Sequence, residues 1–349
     1  MPTTVTTTVK ASGGDYTSLA AWEAAQQADL TALDQIREAA CYNFADSAGP
    51  VEIAGWTTDA TRYARIYAVD NHGGLYGGAG GTSSYRLLGG GALDSLLVNQ
   101  SYTHVEGVSV AMTHDDNNLS GVRVDPAAVA YVERCIVKYT PVAPTYGNYN
   151  LGIAGGSDRT ASLYISNCLI LWRLGATRTD TAAVWSSKHV SGNTFISNCT
   201  IIGDGFNTGI RDGYSDTIAK NCLAYQAAFL NAFNAASTNC ASSDTSATMA
   251  ASRISQTFTF VNAGADDFHL TAADAGAHTF GADLHADTYP FSVDIDSNTR
   301  LAPWDIGADQ IPTSIAMLTG TITSAGEADI VAGGKTIILT LTGDTWIPA

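Results

Sequence analysis

The chain has 349 residues and carries 17 Lys plus Arg against 33 Asp plus Glu, a formal net charge of −16. A nucleic-acid binder needs a basic face to displace phosphate counterions, so this balance argues against one. The acidic side divides into 27 Asp and 6 Glu, and with 34 Gly it favours turns over helix interiors, which excludes a helical bundle.

In chain order, MPTTVTTTVKASGGDYTS lacks the apolar core of a signal peptide, so a chain beginning natively at Met1 is expected to be made in the cytosol without export by that route. No run approaches 18 uncharged apolar residues, and no membrane-spanning helix is expected. DYTSLAAWEAA, residues 15–25, reads as a short amphipathic helix with Thr17 or Ser18 as N-cap and Leu19, Trp22 and Ala25 on one face. Residues 1–48 are therefore assigned to a first strand and a helical cap.

From 49 to 265 the chain repeats itself. HVEGVSV (104–110), YVERCIV (131–137), YISNCLI (164–170) and FISNCTI (195–201) align, and Asn-Cys recurs at Asn221-Cys222 and Asn239-Cys240. Each run is short, β-branched or aromatic, apolar near alternate positions and punctuated by Gly, Asn or Asp. Such a unit cannot bury its apolar face alone, so successive coils must stack, strand on equivalent strand, at about 4.8 Å per coil. Ile165, Cys168 and Ile170 would then meet Ile196, Cys199 and Ile201, with Asn167, Asn198, Asn221 and Asn239 forming a ladder at the turn. The six Cys include no CxxC pair and read as small apolar fillers of a narrow interior rather than redox or metal groups.

Residues 266–312, with DDFHLTAADAG, DIDSNTR and WDIGADQ, are assigned to closing coils and a C-terminal cap. Residues 313–349 read as strands outside the coil pattern. Their apolar run from Lys335 to Leu341 needs a partner, as an assembly arm or as the start of a further module.

These runs resemble the right-handed parallel β-helix of the pectin-lyase-like superfamily. The resemblance implies an all-β fold: a single-stranded parallel β-helix, or solenoid, with an N-terminal capping helix and a small C-terminal β segment. It says little about chemistry, because that scaffold carries lyases, hydrolases, adhesins and phage virion proteins.

If the chain is an enzyme, paired carboxylates are needed, and the candidates are Asp115 and Asp116 in THDDNN, Asp204 in IIGDGFNTG, and Asp212 with Arg211 in GIRDGYSD. The competing reading of each is an Asp that builds a turn beside Gly or Asn. DIDSNTR places Asp294, Asp296 and Asn298 at the spacing of a calcium loop's first half. However, Thr299 replaces the turn glycine and no Glu closes the loop, so it reads as a structural turn. The seven His show no HxH or HExxH spacing, and His269 and His278 read as packing residues, so no metal and no cofactor is expected. Tyr146, Tyr149, Trp185 and Tyr214 are placed in loops between rungs, where they could meet sugar faces or another subunit.

The resemblance then implies a non-enzymatic phage virion component: a capsid decoration or vertex protein, or a fibre or tailspike-like part. It would be trimeric, with other virion proteins as partners and no nucleic acid or membrane. The alternative is a polysaccharide lyase or glycoside hydrolase acting on a bacterial surface polysaccharide.

Overall fold

Runs that are apolar at alternate positions bury that face by stacking on copies of themselves, and this chain does so as a parallel β-helix. The computed structural model describes residues 1–76, 84–89, 94–112, 119–125, 127–139, 151–155, 160–172, 182–186, 192–212 (backbone alone for 205–207), 215–230 and 233–312. Residues 1–312 form one compact unit.

Each coil contributes to three faces. Face 1 is eight parallel strands in simple chain order, among them Gln35–Cys41, Ala64–Ala68, Thr103–Glu106, Ala130–Glu133, Leu163–Ser166, Thr194–Ser197 and Thr217–Lys220. The register does not slip across its central coils, so Val105, Val132, Ile165, Ile196 and Ala219 lie one above another on the inside. Face 2 includes Ser109–Met112, Ile136–Tyr139 and Leu169–Trp172, and face 3 includes Ser120–Val124, Leu151–Gly155 and Ala182–Ser186. The 13-residue strand Thr200–Asp212 pairs with Leu169–Trp172 near its start and with Ala182–Ser186 near its end. Faces 2 and 3 therefore join as one 13-stranded sheet.

The corner between faces 1 and 2 is a single left-handed residue followed, in all but the last coil, by a buried one. Its column is Gly107, Arg134, Asn167, Asn198, Asn221, Asn239 and Ala251, with φ between 50° and 65° throughout. Left-handed backbone costs most residues about 1–2 kcal/mol, and Gly and Asn tolerate it best, which accounts for the recurrent Asn. The ladder runs on through the corner: Gly107 N–H donates to Glu133 O at 2.9 Å, Asn167 to Ser197 O at 3.0 Å and Asn198 to Lys220 O at 2.9 Å. Next in each coil come the buried free thiols of Cys135, Cys168, Cys199, Cys222 and Cys240. They lie against carbonyls of the preceding coil, Cys168 to Val132 and Cys222 to Ile196 both at 3.4 Å, and burial pushes the Cys168 and Cys240 thiols well up. The coils taper, from 33 residues between Arg134 and Asn167 to 12 between Asn239 and Ala251.

The helix Leu19–Gln26 is capped by Ser18, whose hydroxyl accepts from Ala21 N–H, and it buries Leu19 and Trp22 in the first coil. Trp22 stacks on Trp56 at 5.5 Å and donates to Thr7 Oγ1 at 2.9 Å. Ala25 is exposed, so the buried stripe is narrower than expected.

Residues 258–311 do not simply extend the stack past its last coil. They run back along the corner as a strap, touching Asn239 at Phe280, Asn221 at Ala282, Lys220 at Asp287, Glu133 at Tyr289, Arg134 at Ser297 and Asn71 at Asp296. The cause is an apolar patch on the outer side of face 2, centred on the strand Leu169–Trp172. In Leu169–Trp172 all four residues are buried: Ile170 and Trp172 face the core, while Leu169 and Leu171, with Ile136 and Ile202, lie beneath Phe268, Ile295 and Ala308. A strand covered on both faces needs no polar alternation, and the CLILW run has none.

Arg300 fastens the strap. Its side chain is fully buried, and Nη2 donates to Asn167 Oδ1 at 2.9 Å, Gly307 O at 2.9 Å and Ala308 O at 2.7 Å. The carbonyl end of the Asn198 amide belongs against the same guanidinium, accepting from Nη1 at 2.9 Å, because the opposite orientation sets NH₂ against N–H groups. Burial lowers Arg300 to about 10, so it remains a cation at neutral pH.

Candidate functional site

On face 1 the alternate residues that do not enter the core form two outward columns. One carries Arg65, His104, Tyr131, Tyr164, Phe195 and Ile218; the other carries Tyr67, Glu106, Glu133, Ser166, Ser197 and Lys220. Equivalent positions in each repeat thus become continuous stripes along the axis. In the first stripe the rings follow one another closely, His104 to Tyr131 at 4.2 Å, Tyr131 to Tyr164 at 5.0 Å and Tyr164 to Phe195 at 4.9 Å. Tyr289 of the strap lies against Tyr131 at 4.8 Å and Tyr164 at 5.2 Å. Burial lowers His104 to about 4, so it is neutral at physiological pH.

The second stripe holds Glu106 and Glu133 as in-register partners on adjacent coils, with backbones about 4.8 Å apart. Glu106 accepts from Arg65 on two prongs, at 2.8 and 2.6 Å, and from Arg134 at 3.3 Å; Arg65 also reaches Glu38 at 2.8 Å. Glu133 accepts from the Tyr289 hydroxyl. Burial would raise the Glu106 carboxyl, but the Arg65 bonds outweigh it and hold it below the usual range; burial pushes Glu133 above that range. A cleft of about 120 Å³ opens beside Glu106, lined also by Arg65, Tyr67, Asp70, His72 and Arg134; Glu133 is not part of its lining. Two carboxyl groups one coil apart, shifted in opposite directions, have the electrostatic pattern of an acid and its counterpart.

The candidates expected from sequence fall elsewhere. Asp115 and Asp116 lie outside the described residues, as do Tyr146, Tyr149, Tyr214 and the arm at 313–349. Asp204 and Asp212 are eight positions apart on the strand Thr200–Asp212; Asp204 is half-buried, and Asp212 is fully buried and accepts from Thr217 N–H at 3.1 Å. Arg211 alternates with Asp212 and is half-buried on the opposite side of the strand. Trp185 is a strand residue of face 3, packed with Leu151, Ala154 and Ala182, rather than a loop aromatic. Asp294 builds a turn, its Oδ1 accepting from Asp296 N–H at 2.9 Å and Asn298 N–H at 2.8 Å.

Glu106 and Glu133 were within reach of the sequence, since HVEGVSV and YVERCIV carry Glu at the same repeat position. The next two repeats carry Ser there, so the pair looks like ordinary surface variation until register makes the two residues neighbours. Neither a scan of protein-family models nor a search of curated proteins finds a match to this chain.

Proposed function

We propose that this chain is a non-enzymatic structural component of a phage particle, of the capsid-decoration, vertex, fibre or tailspike kind, which acts as a stiff β-helical support. The observation that carries this reading is the mutual saturation of the charged groups at the face-1 cleft. Arg65 ties three coils together through Glu38 and Glu106, Arg134 joins the same carboxylate, and Tyr289 closes Glu133 from the strap. Their bonds hold coil to coil and strap to coil. The virion setting, the trimer and the virion partners rest on the resemblance of the repeats and on the apolar run from Lys335 to Leu341.

One observation favours a second reading, cleavage of a bacterial surface polysaccharide. Glu133, shifted up, would serve as the acid, and Glu106, held ionised by Arg65, as its counterpart. Incubation with capsular polysaccharides and lipopolysaccharides separates the two. The structural reading expects no new reducing ends or unsaturated products, whereas release that disappears in Glu133→Gln overturns it. For assembly, a sizing experiment is expected to give an oligomer that dissociates when 313–349 is removed; a monomer in both forms rejects the trimer.

A further inference from the structure

Away from face 1, the strap brings together a set of donors that neither the coil architecture nor the proposed function uses. His269 lies on the strand Asp267–Leu270, Asp296 in the turn that Asp294 builds, and Asp309 near the end of the strap. One ligand atom from each lies within 4.8 Å of the others. From these residues we propose that the strap holds one divalent metal ion, coordinated by His269 Nε2 and by carboxylate oxygens of Asp296 and Asp309.

Four observations support this. Two of the three donors are held from behind: Asp267 Oδ1 sits 2.5 Å from His269 Nδ1, and Leu270 N–H donates to Asp309 Oδ2 at 2.8 Å. A carboxylate behind a histidine that fixes its ring for a metal is the usual outer support of such a site. Second, His269 Nε2 and Asp296 Oδ2 are 2.9 Å apart, a hydrogen bond between the two groups when no ion is present and also about the separation of two adjacent ligands on an octahedral ion held at roughly 2.1 Å. Third, Asp296 Oδ1 is shielded from solvent and has no hydrogen-bond partner, an arrangement that is costly for a carboxylate unless something positive meets it. Fourth, a small cavity of about 10 Å³ lies beside the cluster, lined by His269 and Asp309 together with Gly74, Thr200 and the apolar side chains of Leu169, Phe268 and Ile295; its size is close to the space one water or one ion needs. Glycine at 74 keeps that space open, because a Cβ there would fall 2.4 Å from His269 Nε2 and 3.2 Å from Asp296 Oδ1.

The donor set selects the class of ion. One imidazole nitrogen with carboxylate oxygens suits Zn²⁺ or Mn²⁺, whereas Ca²⁺ takes oxygen ligands alone. Three carboxylates, counting Asp267, surround one histidine, so the cluster stays negative even with the imidazole protonated, and a divalent ion would offset that charge. The ion would join the strap's strand, its turn and its final stretch at one point, beside the Gly74 loop and Thr200 of the coils.

The test uses the full chain freed of metal with a chelator, then dialysed against Zn²⁺, Mn²⁺ or Ca²⁺ singly, with bound metal measured by elemental analysis. One equivalent of Zn²⁺ or Mn²⁺ per chain is expected, weakened about tenfold or more in both Asp296→Asn and His269→Gln, with Ca²⁺ much weaker. A second measurement needs no variant: Mn²⁺ should broaden the imidazole NMR signals of His269 before those of exposed His285. Sub-stoichiometric binding, binding by either variant as tight as by the unaltered chain, a preference for Ca²⁺, or broadening at His285 first would each overturn the proposal.

Discussion

Arg300 and the corner asparagines depend on one another. The guanidinium is buried without a carboxylate within ion-pair distance among the described residues, and amide and backbone oxygens take its hydrogen bonds. Removing it leaves Asn167 and two backbone carbonyls unpaired in the interior, so Arg300→Met is expected to cost roughly 3 kcal/mol or more. A urea midpoint that falls with unchanged slope is the expected result. Asn198 serves twice, through its amide and through its φ of 50°. Asn198→Gly loses only the amide and Asn198→Ala loses both, so Ala should be the worse by about 1 kcal/mol; equal urea midpoints would show that backbone conformation is not what selects Asn. The Asn column was legible in the sequence because each member recurs beside Cys in its own repeat. Arg300 was not, because it meets Asn167 from 133 residues away, with no repeat to mark it.

At the scale of elements, the aromatic stripe and the outer side of face 2 make separable predictions. His104 lies between Tyr63 at 4.4 Å and Tyr131 at 4.2 Å, and its pKa is lowered to about 4. A histidine depressed by folding contributes stability that is present above its ordinary value near 6.5 and lost as pH falls toward 4. The loss is expected to reach at most about 3 kcal/mol, and His104→Phe, which keeps a ring in the stack, should abolish that part of the slope in melting temperature against pH. Leu171 points away from the core yet is buried, so Leu171→Ala is expected to cost roughly 2–5 kcal/mol. It should also speed chymotrypsin cleavage at Phe280 and Phe291; unchanged cleavage would mean that face 2 does not hold the strap. The face-1 strands were readable because their alternation is local. The strap's position was hidden, since CLILW reports that both faces are covered without saying by what.

At the scale of the molecule, a solenoid whose coils touch only their neighbours can unfold piecemeal. Here the strap spans the corner from Asn239 to Asn71, so distant coils share partners. Residues 1–312 are therefore expected to lose tryptophan fluorescence and far-ultraviolet β signal in one coincident urea transition; two separated transitions would show that the strap does not couple the coils. The acidic excess also has a place in this picture. Asp15, Asp29, Asp59 and Asp283 bond to nearby backbone N–H groups, so part of the negative charge maintains turns.

The strap also sets an order in time. Asp296 meets Asn71 across 225 residues, and Ser297 meets Arg134 across 163. At about 5–20 residues per second of synthesis, the early coils wait on the order of ten seconds or more for the segment that covers them. In that interval the ladder can already be stacked while Leu169 and Leu171 of the later coils still face water. A newly made chain is thus most exposed to wrong partners along one side of its coils, and that hazard ends only when the strap docks.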